Sequence, residues 1–306
     1  MATPRRELVD PLQPLFYHLI SRCVRRSWLC GYDKYSRRDY SHRKQWLIKR
    51  MKFLAQFFAI ELHAYAVMSN HFHLVIHYDP LASTRWTDEE VVDRWLSVCP
   101  PRSYRNDSDA SILFLHKQML LADDAKLLRL RRELGSLSTY MKMLKQNVAR
   151  KANLEDDVTG HFFEQRFYSG ALLSERSVQA AMAYVDLNAV EAQIARSIEQ
   201  IEDASISDRL AALESDPTLL TAYLEPLVSG LPDATQKVKV TLRAYIELLK
   251  LRCDRRTSHN ENSPEARWLQ DVATFGHRQR AYGSQTALDS WSDKRQWRRI
   301  ARPLSG

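Results

Sequence analysis

Two β-prone runs, residues 62–68 and 71–78, meet across a Ser69-Asn70 connection, and nothing else in the chain restricts its fold as much. Runs of this length joined by a tight polar link read as an antiparallel hairpin. In the second run successive side chains alternate between faces, so Phe72, Leu74 and Ile76 share one and His71 and His73 the other. The apolar set reads as the buried face. The two imidazoles are about 7 Å apart on one face, and each neutral ring offers a nitrogen lone pair, so the pair suits a shared divalent metal. The same pattern also describes a strand whose histidines simply face water, and the pair alone does not choose. His77, further along that face, reads as support for a ligand or, more simply, as a solvated histidine.

Before the hairpin, residues 15–24 read as a first strand and residues 41–60 as a helix with Ser41 at its N-cap. Leu47, Met51, Leu54 and Phe58 give that helix a buried stripe, and Arg43, Lys49, Arg50 and Lys52 a basic exposed face. After the hairpin, residues 80–135 look like an insertion. Thr87 can open a short helix, Pro100-Pro101 breaks the chain, and residues 109–134 read as one further helix. A helix over residues 138–151, a strand over 160–173 and a helix from Ser177 to about Ile194 follow. Strand, helix, hairpin, helix, strand makes a βαββαβ order. The expected fold is therefore α+β, with a ferredoxin-like antiparallel core, a helical insertion and a helical C-terminal extension. The domain would span residues 12–195, with residues 196–306 as an extension that is helical, partly basic and without a strand signal.

Composition excludes several functions. No run of about 18 apolar residues predicts a membrane span. The first eleven residues carry Arg5, Arg6, Glu7 and Asp10 and do not read as a secretory signal. The four cysteines form no Cys-x-x-Cys pair, so reduced thiols and a cytoplasmic location are expected. The glycines form no phosphate-cradling loop, which removes nucleotide-driven chemistry. Charge is unevenly placed. Residues 1–52 hold 13 Lys/Arg against 4 Asp/Glu, residues 197–253 hold 6 against 9, and residues 254–306 hold 10 against 6. A basic head and tail suit a polyanion laid across one surface. Between the first strand and helix, Arg25, Arg26, Arg37 and Arg38 are mixed with Trp28, Tyr32, Tyr35 and Tyr40. Cations for phosphates and rings for bases suit single-stranded nucleic acid, although an exposed loop with incidental aromatics has the same composition.

The helix from Ser177 supplies what the two histidines lack. Its buried stripe is Val178, Met182, Val185, Ala189 and Ala192. Asn188 falls at the edge of that stripe and Tyr184, four residues earlier, just outside it. Side chains so placed can reach between helix and sheet. A helical tyrosine more commonly packs its ring and leaves its hydroxyl in water.

His71-Phe72-His73, preceded by Val67-Met68-Ser69-Asn70, resembles the HUH motif of single-tyrosine transposases, especially the REP-associated tyrosine transposases. So do residues 160–168 and the later Ala183-Tyr184-Val185-Asp186-Leu187-Asn188-Ala189-Val190. In that family they correspond to a Trp-Gln-x-Arg strand and a helix bearing Tyr-(x)3-Asn-Pro-Val. Phe16-Tyr17-His18 with Ser21-Arg22 resembles the family's first strand. The likeness spans about residues 12–195. Glu164 follows Phe163 where Trp-Gln is usual, and Ala189 stands in place of Pro, which should only lengthen or straighten the helix.

The resemblance implies a metal-dependent single-stranded DNA endonuclease and strand transferase. Its nucleophile would be Tyr184, forming a covalent 5′-phosphotyrosine. His71, His73 and Asn188 would hold Mg²⁺ or Mn²⁺. The expected DNA-binding residues are Arg22, Arg25, Arg26, Arg37, Arg38, Arg43, Lys49, Arg50, Lys142, Lys145 and Arg166. The expected partner is a hairpin-forming, REP-like single strand, bound by a monomer or homodimer. The alternative is a domesticated nucleic-acid-binding protein that keeps the fold and does not cleave.

Overall fold

The computed structural model describes residues 5–24, 30–33, 37–107, 109–231, 236–254, 263–295 and 304. Arg25, Arg26, Trp28, Tyr35 and the 296–300 part of the basic tail lie outside them. At the centre are β1 (Leu15–Arg22), β2 (Ile60–Val67), β3 (His71–Tyr78) and β4 (Tyr168–Leu172). They lie in the order β4-β1-β3-β2, with every pairing antiparallel. That is the ferredoxin-like arrangement the element order predicts.

The two core helices, α1 (His42–Ala55) and α5 (Leu137–Glu155), pack together on one face of the sheet. Phe72, Leu74 and Ile76 of β3 point into this layer, as their alternation requires. The insertion adds α2 (Asp88–Val98), α3 (Ala110–Leu121) and α4 (Asp124–Leu134) to the same side. Thr87 caps α2 through a full capping box with Glu90. The single helix expected over 109–134 is two, because the Asp123 carboxylate accepts from Lys126 N at 2.9 Å and starts α4 afresh. Among the described residues no helix is long and apolar enough to cross a membrane.

The opposite face of the sheet is also covered. There α6 (Glu175–Asp186) crosses β2 and β3, followed by α7 (Asn188–Glu191), α8 (Ser205–Ser215), α9 (Leu242–Cys253) and α10 (Pro264–Thr274). Ser174 caps α6 through a capping box with Ser177. The helix expected to run from Ser177 to Ile194 breaks at Leu187, so the change from Pro to Ala at position 189 does not straighten it. The extension is mostly helical but also holds strands that the sequence did not signal. Of these, β5 (Val228–Ser229) pairs with β2, and β6 (Ala281–Tyr282) runs parallel to β4, so the extension occupies both edges of the sheet. Two-residue strands are set by their pairing partners rather than by alternation, which is why they escape sequence reading. Gly230 lets β5 close in, since a Cβ there would lie 2.1 Å from the Phe58 carbonyl oxygen.

Three further expectations change. The strand expected over 160–173 is confined to β4, because Phe162, Phe163 and Phe167 turn into the core instead of alternating. Ser41 occupies the N-cap of α1 but does not cap it, since its hydroxyl donates to Asp39 Oδ1 at 2.6 Å. Arg43, expected on the exposed basic face, is fully buried. It lies four residues before Leu47 and eight before Met51, hence on the buried stripe. Its guanidinium donates to Glu155 Oε2 at 2.7 Å and also pairs with Asp156, tying α1 to the end of α5. That engagement removes Arg43 from the DNA-facing set.

Arg43→Ala leaves two carboxylates without their cation and is expected to cost about 3 kcal/mol of folding free energy. Lys49→Ala, exposed on the same helix, should cost under about 0.5 kcal/mol. Urea unfolding measures both, and equal losses would contradict the buried pairing.

Candidate functional site

Antiparallel pairing of β1 with β3 sets Arg22 opposite His71 and His18 opposite Val75. Arg22, His18, His71 and His73 therefore share the face that α6 covers. His73 is buried, and its Nδ1 lies 2.9 Å from His18 Nε2, with the two rings stacked. His71 is half-buried, with its ring centroid 4.9 Å from that of His73. From α6, the Tyr184 ring reaches to 5.7 Å from His73 and 5.9 Å from His18. Asn188, at the start of α7, lies near enough to the Tyr184 hydroxyl for its carboxamide to favour the phenolate. His71, His73, Tyr184 and Asn188 are thus brought together.

The end of α6 is held by a buried carboxylate. Asp186 accepts from the Ser205 hydroxyl, from Ile206 N at 2.9 Å and from the Tyr245 hydroxyl at 2.6 Å. These bonds lie two residues from Tyr184 and fix where the break before Asn188 falls.

Hydrogen bonding decides which ring nitrogens face the site. His71 Nδ1 is 2.6 Å from Asn70 Oδ1, an oxygen that only accepts, so Nδ1 carries the proton and Nε2 is bare. For His73, donation from Nδ1 to His18 Nε2 likewise leaves Nε2 bare. That Nε2 is buried and, among the described residues, has no hydrogen-bond partner, so its lone pair suits a cation. Burial lowers His18 to about 3 and His71 to about 4, and holds His73 well below 6.5, with the Arg278 charge adding to each shift and Arg22 to those of the two ligand candidates. All three rings are therefore neutral at pH 7, and His71 and His73 each keep a bare Nε2 able to ligate. Burial raises the Tyr184 phenol, while the Asn188 carboxamide and the charges of Arg22 and Arg278 pull the other way. Two imidazole nitrogens suit a divalent transition ion, and the carboxamide oxygen with water suits Mg²⁺ or Mn²⁺, so the mixed set fits Mn²⁺ best. Among the described residues, no group of three or more His, Cys, Asp or Glu has metal-holding geometry.

His18 is the functional candidate that sequence reading placed on a strand without a role. Alternation with Tyr17 and Leu19 was the available signal for its facing His73. His77 differs from expectation: it is buried, neither solvated nor near the pair. It lies about 13 Å along the strand from His73. Its Nδ1 is 3.0 Å from Glu61 Oε2, and hydrogen bonds from His77 and Gln236 N, with the His63 ring 3.8 Å away, outweigh burial to hold the Glu61 carboxyl at about 2.

Of the expected DNA-binding cations that are described, Arg22 alone acts on the charge of the histidines and Tyr184. Arg37, Arg38, Lys49 and Arg166 are exposed elsewhere. Arg50 is half-buried against Phe53, and Lys142 is exposed near Glu133. Lys142, Lys145 and Arg166 line a largely apolar groove of about 700 Å³ between α5 and residues 160–167, where Lys145 donates to the Glu164 carbonyl at 2.6 Å.

No protein-family model matches the chain, and no curated protein matches it. Among solved structures, that of a REP-associated tyrosine transposase bound to a REP hairpin is similar at a TM-score of 0.40 and 12% identity, over 69% of this chain and 86% of that one. Similarity at that level carries no functional weight.

His18→Phe removes the acceptor behind His73 and should weaken Mn²⁺ binding about tenfold, whereas His18→Gln, which restores an acceptor, should recover most of it. Mn²⁺ titration by electron paramagnetic resonance reads the difference, and equal weakening by both would make His18 a packing residue only. Protons compete with the cation for Nε2, so lowered imidazole pKa values move that competition to lower pH. Mn²⁺ affinity should stay level from pH 8 to pH 6 and fall toward pH 4, and a midpoint near 6.5 would contradict the burial described.

Proposed function

We propose that the protein is a metal-dependent nuclease and strand transferase for single-stranded DNA, with Tyr184 as the nucleophile. The observation that carries this reading is the convergence of one phenol, one carboxamide and two neutral imidazoles, one with an orphaned buried Nε2. When bound by His71 Nε2, His73 Nε2 and Asn188 Oδ1, Mg²⁺ or Mn²⁺ would neutralise charge on a non-bridging phosphate oxygen.

The chain's own groups do the rest. Asn188 steadies the phenolic oxygen, and Arg22 offers positive charge to the approaching phosphodiester. Because burial keeps the phenol protonated at neutral pH, Tyr184 loses its proton to water only as Oη attacks phosphorus. The Oη–P bond forms, the P–O3′ bond breaks, and the departing 3′-oxygen takes up a proton. Tyr184 keeps the 5′-phosphate as an ester, so a second 3′-hydroxyl can reverse the step and join strands with no nucleotide consumed. Aromatic and basic residues near the first strand suit an unpaired strand beside a hairpin stem, the REP-like partner expected.

The test is an end-labelled library of hairpin-bearing single strands, incubated with Mn²⁺ and run on a denaturing protein gel. Wild-type protein should carry label, and Tyr184→Phe should lose it by at least about a thousandfold while binding DNA within about threefold of wild type. Adduct formation by Tyr184→Phe would reject this nucleophile. DNA binding without any adduct would support the non-cleaving alternative.

A further inference from the structure

The C-terminal extension reaches the candidate site. Phe275, just past α10, is buried, with its ring 5.8 Å from His18 and 6.1 Å from Tyr184. It stacks on Tyr282 of β6 at 4.0 Å between centroids. The segment between these two rings is pinned in place. Gln279 N donates to the Tyr168 hydroxyl at 3.0 Å, Tyr168 donates back to the Gln279 carbonyl, and the Tyr168 and Tyr282 hydroxyls are 2.8 Å apart. Upstream, the buried carboxylate of Asp271 on α10 pairs with Arg176 on α6, fixing the extension to the helix that bears Tyr184.

Between the two rings stands Arg278. Its guanidinium carbon lies 5.7 Å from the centre of the Tyr168 ring, and that ring stands edge-on to His18 at 6.1 Å. Beside the Tyr168 ring, the Arg278 charge is felt by His18, His71, His73 and Tyr184 as well as by Tyr168. From β1, where it stands opposite His71, Arg22 acts on His71, His73 and Tyr184. Both arginines are exposed, and among the described residues neither forms an ion pair. Many other cations on this chain have found carboxylates, including Arg43, Lys44, Arg131 and Arg295. Two uncompensated guanidinium groups flanking neutral imidazoles and a phenol make a local excess of positive charge that an anion would relieve. A guanidinium fork suits a phosphodiester's two non-bridging oxygens.

We propose that Arg278, carried by the C-terminal extension, and Arg22, on the first strand, together grip the phosphodiester presented to Tyr184. The extension is then a working wall of the phosphate site. This deepens the nuclease reading and rests on it for the identity of the phosphodiester as DNA. Arg278 is a substrate-binding residue, with Phe275 and the Tyr168–Gln279–Tyr282 bonds holding its backbone in position.

Two measurements separate this proposal from the reading beneath it. The first uses dimethyl phosphate as a bare phosphodiester and follows paramagnetic broadening of its ³¹P resonance by Mn²⁺-loaded full-length protein. Wild type should broaden the line, Arg278→Ala should lose most of the effect, and Arg278→Lys should keep part of it. Arg132→Ala, which removes an exposed charge from the insertion, should match wild type. The second measurement is adduct formation on the hairpin library. There Arg278→Ala should slow labelling about 10- to 100-fold, the loss expected of a charge-assisted hydrogen bond. Thermal melting of each variant should match wild type, because Arg278 is exposed.

Broadening that is absent in wild type, or equal in wild type and Arg278→Ala, overturns the proposal whatever the adduct assay shows. Arg278-dependent broadening without any wild-type adduct keeps the phosphate site and defeats strand cleavage. Adduct formation unaffected by Arg278→Ala defeats the grip on the reacting phosphate and leaves the nuclease reading standing.

Discussion

The contact between His18 and His73 is where the sheet and the chemistry meet. A buried imidazole without a partner is costly, and this pair meets one requirement internally while leaving His18 Nδ1 and His73 Nε2 without partners among the described residues. The bond exists because β1 and β3 are adjacent and antiparallel, with a register that brings both residues to one face. A slip of β3 by one residue would turn His73 away from His18 and into the apolar layer beneath α1 and α5. The register is in turn enforced by Phe72, Leu74 and Ile76, which admit no exposed alternative. Hydrophobic patterning on one face of β3 thereby fixes polar geometry on the other.

The second anchor is Asp186. Its carboxylate gathers a hydroxyl and an amide from the start of α8 and a phenol from α9, so two other helices agree on where α6 stops. Tyr184 sits two residues before that point and Asn188 two residues after it. A helix running straight through would keep them on one wheel. The break instead starts a new short helix at Asn188, whose side chain still reaches the phenol. Sheet register and this anchor act on opposite walls of one site, and neither depends on a bound ion.

Much of this was legible in the sequence because it follows from short-range rules. Alternation announced β3, spacing of four announced the stripes of α1 and α6, and Thr87 marked a helix start that the structure keeps. His71, His73, Tyr184 and Asn188 were legible as a set because each had a definable face. What escaped obeys longer-range rules. Arg43 shows that helical spacing can bury a cation when carboxylates far along the chain wait for it. His77 was read as solvated because nothing local announces that Glu61, across the hairpin, would take its proton-bearing edge. The edge strands of the extension, and with them Phe275 and Arg278, depend on partners about a hundred residues earlier, where no periodicity carries information.

The parallel pairing of β6 with β4 joins a late segment of the chain to an early one. During synthesis the histidines, the phenol and the carboxamide would all emerge before the wall that contains Phe275 and Arg278. A nascent chain would therefore display an unfinished pocket until residue 282 had cleared the ribosome and closed the sheet edge. Order of translation thus separates the appearance of the reactive groups from completion of the pocket around them.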